Sequence, residues 1–269
     1  MKFASIILSF LSFTALTFAQ SDNDNKTLSE NTSMGKAPEW IKEFNALPKE
    51  QRMEYITKFR EAQTKFTEKR PVEGLFILQE IEKIFSKSPS FYNLKGACYV
   101  EIRDIPKAIE CFTKALSFDP NNISIQFNLA ESHYVNHDYK IALENFSRLL
   151  ERITQANPKA AKEVSPLLNF KRLICAYKLG DQKMFDELKT LYGPMDDTPY
   201  YYCTESIVHF AKNDKTAAAQ SLMSALRIFG GTNSLQAFTD AMSEAGIMPA
   251  LSTQSVQEDK SKINPLKFN

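Results

Sequence analysis

Along residues 89–122 apolar and polar positions alternate with the period of a helix, twice over. Tyr92, Gly96 and Tyr99 share one face of a first helix, a turn follows at Arg103-Asp104, and Ala108, Phe112 and Ala115 share one face of a second. Asp119-Pro120-Asn121-Asn122 then stops the chain from continuing helical. The same arrangement recurs. Ala62, Gly96 and Ala130 are 34 residues apart each time, and so are Gly74, Ala108 and Ala142, and Leu78, Phe112 and Phe146. The period slips by nine through 156–163 and resumes, and the aspartates track it: Asp104, Asp138, Asp181 and Asp214 are separated by 34, 43 and 33. Three columns at one spacing mark an internal repeat of helical hairpins.

The spacing has a physical reason. Small residues where two helices cross let the backbones come close, and the ring of Phe112 or Phe146 fills the space beside them. An aspartate at the turn accepts amide hydrogens of the following helix. One such hairpin cannot cover its own apolar face, so neighbours must stack.

The run 91–99 followed by 108–122 resembles the tetratricopeptide repeat consensus, and Asn128-Leu129-Ala130 with Asp138-Tyr139 and 142–146 resembles it again. The resemblance implies an all-α fold, a right-handed superhelical solenoid of helix-turn-helix hairpins with terminal capping helices. Five units are expected, at 55–88, 89–122, 123–156, 166–198 and 199–232. Capping helices are expected at 37–54, where Trp40, Ile41 and Phe44 form an apolar face, and at 233–248. Phe185 stands where the fourth unit's second helix should carry a small residue, so that hairpin is expected to pack differently.

The flanks change the picture of where the protein works. Lys2 precedes the apolar run Ile6 to Phe13, and Thr17-Phe18-Ala19 supplies small residues for cleavage, so 1–19 reads as a signal peptide. Residues 20–36 and 249–269 are polar and read as a disordered leader and tail. The mature protein is expected to be exported, periplasmic if the source is a Gram-negative bacterium and otherwise secreted, without stable membrane insertion once the signal is cut. Export permits disulfides among Cys98, Cys111, Cys175 and Cys203, which allow three full pairings, but no CxxC is present. Cys98 and Cys175 lie on apolar faces, which favours core thiols.

Composition removes several kinds of function. Basic and acidic residues number 33 and 32, and loss of Lys2 with the leader makes the mature chain neutral, so nucleic acid is not an expected partner. The 8 glycines form no phosphate-binding loop and no nucleophile elbow. His133 and His137 have the i,i+4 spacing of a metal pair, but Tyr134 stands where a metalloprotease carries glutamate and no third ligand is evident. Neither cofactor nor metal is expected. The acidic residues alternate with lysines in the manner of solvated helix pairs. Asn-x-Ser/Thr triplets occur at Asn25, Asn31, Asn122 and Asn145, the last inside a helix.

The resemblance implies that the first helices of successive units line a concave groove. It would take Phe59 and Phe66 from the first unit, Asn93 from the second, and Phe127, Glu131 and Tyr134 from the third. Phe170 and Tyr177 would come from the fourth, and Tyr200 and Phe210 from the fifth. The family's clamp of basic residues for a terminal carboxylate is not matched. The expected function is a non-catalytic scaffold that holds a protein or peptide by hydrophobic anchors. The alternative is a structural role in a cell-envelope complex, with self-association. A further alternative for the rings themselves is packing between adjacent hairpins, since Tyr134 and Tyr177 sit where the consensus already carries tyrosine.

Overall fold

The computed structural model describes residues 38–247. The expected signal peptide, leader and tail lie outside the described residues. The described chain contains twelve α-helices and no strand. It divides into two compact units between Asp138 and Tyr139, at the turn of the third expected repeat.

The first unit holds α1 (Glu39–Asn45), α2 (Lys49–Thr67), α3 (Pro71–Glu82), α4 (Pro89–Glu101), α5 (Ile105–Phe118) and α6 (Ile123–Val135). The boundary expected at 54/55 does not exist. Pro48 precedes a run of good helix formers, and α2 passes through it unbroken for 19 residues. Helix α1 sets Phe44 edge-on against Tyr55 and Phe85, with ring centroids 5.1 and 5.3 Å apart. Small residues stand at the helix crossings. A Cβ placed on Gly74 would meet Cys98 Sγ at 3.3 Å and the Ala62 carbonyl at 3.4 Å. One placed on Gly96 would lie 2.7 Å from Cε1 and 2.9 Å from Cζ of the buried Phe112 ring. Gly96 is glycine because that ring occupies the place of its side chain.

The second unit holds α7 (Tyr139–Ala156), α8 (Pro158–Leu179), α9 (Gln182–Lys189), α10 (Tyr200–Ala211), α11 (Lys215–Phe229) and α12 (Asn233–Glu244). The nine-residue slip is not a loop. Asn157 caps α8 by accepting from the Ala160 amide at 3.1 Å, Pro158 takes the first helical position, and the helix runs on through Pro166. From Leu168 to Ala176 α8 is apolar or buried almost all round, as a central helix must be. Helix α9 is cut to eight residues, and a turn-rich segment leads to α10. This is the altered packing expected from Phe185, which is buried and tilted against Tyr177 with centroids 6.1 Å apart.

A single turn device recurs. Lys69, Arg103, His137, Gly180, Asn213 and Gly246 are all left-handed, with φ between 60° and 71°. After each, the next amide reaches back five residues, as from Asp104 to the Tyr99 carbonyl at 2.9 Å and from Asp214 to that of His209 at 2.9 Å. Periodic aspartates then cap the following helix: Asp104, Asp181 and Asp214 accept from the amides of Lys107, Met184 and Ala217. Four of the six left-handed positions carry a side chain, which costs about 1–2 kcal/mol each over right-handed backbone. Replacing the exposed Arg103 by glycine is therefore expected to raise stability by about 0.5–1 kcal/mol, allowing for glycine's greater unfolded-state freedom. A urea midpoint that falls for Arg103→Gly would contradict this.

Candidate functional site

The ten residues expected to line a groove do not share one environment. In the first unit Phe66 belongs to the core, with Lys69 Nζ 5.9 Å above its ring. Phe127 and Tyr134 are buried. Asn93 is buried too, and its Oδ1 accepts a hydrogen bond of 2.9 Å from Asn128 Nδ2, tying α4 to α6. Phe59 is half-buried and stacks on Tyr55 with centroids 6.0 Å apart. Glu131 is half-buried.

In the second unit the expectation for Phe170 and Tyr200 is corrected. Both are fully buried, and the closing helix α12 lays Phe238 on them. The Phe170–Phe238 centroids are 4.7 Å apart, those of Phe170 and Tyr200 5.8 Å, and Tyr192 packs on Tyr200 at 4.7 Å. The Tyr200 hydroxyl is satisfied internally, donating to the Leu188 carbonyl at 2.8 Å. Tyr177 and Phe210 are half-buried. Six of the ten are thus withdrawn from any groove: Phe66, Asn93, Phe127, Tyr134, Phe170 and Tyr200. The reason is energetic, because each buried ring contributes about 1.5–3 kcal/mol that an exposed one does not. Phe59, Glu131, Tyr177 and Phe210 keep accessible surface.

Phe238 was not singled out from the sequence, although Leu235, Phe238 and Met242 lie on one apolar stripe of α12 and all are buried. Helical spacing alone does not say that such a stripe closes over a preceding hairpin. Conversely, Val72 and Phe76 are exposed on α3, at places where the next two repeats carry Pro106 and Glu110, then Lys140 and Glu144.

The histidine pair singled out by its spacing is engaged in its own turn. His133 Nδ1 lies 3.1 Å from Asp138 Oδ2, which also accepts from Asn136 Nδ2 at 2.8 Å, and His137 forms the turn. Among the described residues no three His, Cys, Asp or Glu side chains are gathered as a metal would require. The Asn136 and His133 contacts hold the Asp138 carboxyl below the usual aspartate range. A carboxyl depressed in the folded state stabilises above its unfolded pKa, and that contribution is lost as pH falls through the folded value. Stability of the wild type is thus expected to drop below about pH 4, more steeply than that of Asp138→Asn. Urea midpoints at pH 7 and pH 3 check it, and equal drops would refute the assignment.

The four cysteines are buried and none is in a disulfide. Burial pushes the thiols of Cys98 and Cys203 up to about 12 and that of Cys111 up to about 11, so these three stay protonated and unreactive at neutral pH. An aromatic disulfide reagent is expected to find essentially no thiol in the native protein and four per chain in denaturant. Fewer than four would mean disulfides. The Asn122 side chain is likewise engaged, capping α6 and donating to Asp119 Oδ2 at 2.9 Å.

Stacked helical hairpins with closed turns and interlocked small and aromatic columns define an all-α repeat protein. Residues 89–122, the hairpin that holds Gly96 against Phe112, match the family model of the tetratricopeptide repeat, so the chain contains a tetratricopeptide repeat there. Its structure is similar to that of TTC0263, a tetratricopeptide-repeat protein of Thermus thermophilus, with 16% identity, a TM-score of 0.44, and coverage of 71% of this chain and 98% of that one. It is also similar to pilF of Pseudomonas aeruginosa, at 15% identity and a TM-score of 0.38, covering 71% of this chain and 99% of that one. A chain of the APC/C hetero-tetramer Cut9-Hcn1 is similar at 15% identity and a TM-score of 0.44, over 76% of this chain and 49% of that one. No curated protein matches the sequence. Tetratricopeptide repeats generally mediate protein–protein interaction or scaffolding.

Proposed function

We propose that this protein is an exported, non-catalytic scaffold that holds another protein against the first helices of its hairpins. The observation that carries the reading is the repeat match at 89–122. It is supported by the way His133, the four cysteines and the capping aspartates are spent on turns and packing. The contacts fall to what remains accessible on the first helices: Phe59 and Glu131 in the first unit, Tyr177 and Phe210 in the second. Two or three such anchors give about 3–9 kcal/mol gross, of which association removes several, so micromolar affinity is the expected scale. Export rests on the basic start, apolar run and Ala19 cleavage site, and predicts a mature amino terminus at Gln20. No helix among the described residues is long and apolar enough to cross a membrane.

The test is affinity capture from an envelope extract of the source organism, read by mass spectrometry. One bait is the mature wild type. The other carries Phe59→Ser and Phe210→Ser, with helicity checked by circular dichroism. A protein held by the first bait and lost from the second supports the scaffold reading. Recovery of only this chain, with a mass that rises with concentration, would replace it by self-assembly in an envelope complex.

A further inference from the structure

Ser165, Asn169 and Arg172 form a polar strip along helix α8, at i, i+4 and i+7. Arg172 is half-buried. Its Nε donates to Ser147 Oγ of α7 at 2.9 Å, and its Nη1 donates to Asn169 Oδ1 at 2.6 Å. The Ser147 hydroxyl in turn donates to the Leu143 carbonyl at 2.8 Å, and Tyr192 donates to Ser165 at 3.2 Å, so the surroundings of the guanidinium are themselves fixed. Both acceptors of Arg172 are neutral. A guanidinium has five N–H donors, and two are used here.

Other cations of this protein are treated differently. Two steps earlier in the repeat, Lys95 occupies the corresponding first-helix position and reaches the Glu82 carboxylate of the preceding helix at 2.8 Å. Arg70 pairs with Glu73, which holds its pKa up, whereas burial lowers that of Arg172, opposed by the Tyr200 phenol and by no carboxylate. The helix neighbours at i±3 and i±4 are Leu168, Asn169, Cys175 and Ala176, so no carboxylate is within local reach either. A cation taken partly out of water without a counter-charge is costly. One that is also held in place by a buried amide and a bonded hydroxyl is preorganised for a planar anion.

We propose that Arg172, positioned by Ser147 and Asn169, is a receptor for one carboxylate, supplied by an acidic residue of the protein that docks on the second unit. The source of the carboxylate rests on the scaffold reading above. The anion site itself does not, and the test separates the two.

The probes are sodium acetate, acetamide with sodium chloride at equal ionic strength, and inorganic phosphate, each titrated into the full mature chain. The readout is the Nε–H resonance of Arg172 in a proton–nitrogen correlation spectrum, assigned by its disappearance in Arg172→Gln. Acetate is expected to shift it along a saturating curve, while acetamide with chloride leaves it in place and the exposed Arg60 shows only the linear drift of ionic strength. Arg172→Lys retains the charge but loses the fork, and is expected to abolish the acetate-dependent rise in urea midpoint seen for the wild type. A shift identical in chloride overturns the site, and saturation at lower phosphate than acetate overturns its assignment to carboxylate. If acetate saturates while capture yields no protein, the site stands and the scaffold reading fails.

Discussion

Truncating Phe238 to alanine is expected to cost about 3–5 kcal/mol, the range for an aromatic side chain removed from a packed core. Its ring is 2% exposed and touches Phe170 and Tyr200, which come from two other helices of the second unit. Removing it leaves a cavity that those rings cannot fill without leaving their own contacts, among them the Tyr200 hydroxyl bond to Leu188. The measurement is urea denaturation of Phe238→Ala beside Phe238→Leu, which keeps most of the volume and should recover a large part of the loss. A change below about 1 kcal/mol for the alanine variant would be hard to reconcile with core burial. It would mean that Phe170 and Tyr200 form an open groove, in which α12 is a removable cover.

Gly96→Ala is expected to destabilise by about 1–3 kcal/mol, the usual cost of overpacking. The sign is the informative part. In a helix interior alanine is favoured over glycine by about 1 kcal/mol, so an uncrowded site would gain stability. At Gly96 the new methyl would stand 2.7 Å from the Phe112 ring edge, and Phe112 is fully buried, with nowhere to swing. Combining Gly96→Ala with Phe112→Leu should therefore cost less than the sum of the two single changes, because the smaller side chain vacates the contested space. Additive losses, or a gain from Gly96→Ala alone, would show that the two helices do not cross as closely as the geometry requires.

These two variants mark the difference between what was legible along the chain and what was not. The Gly96–Phe112 contact follows from a column of small residues 34 apart and a column of rings, since a hairpin's internal contacts are fixed by short separations and helical period. The aspartate caps at 104, 181 and 214 were legible for the same reason, being bonds across three residues. The contact of Asp138 with His133 across five residues was not legible, because it depends on the left-handed turn between them.

The sequence by itself determined that this protein is all-α, built of helical hairpins with a 34-residue period, and that small residues and rings interlock at the helix crossings. Those features rest on local periodicity and steric size, which one repeat encodes completely. Only the tertiary structure decided which rings remain accessible, that α12 seals Phe170 and Tyr200, and that Arg172 meets serine and asparagine where Lys95 meets a glutamate. Those outcomes depend on which side chains meet across separations of 25 to 68 residues. An aromatic at helical spacing reads identically whether another helix covers it or water does.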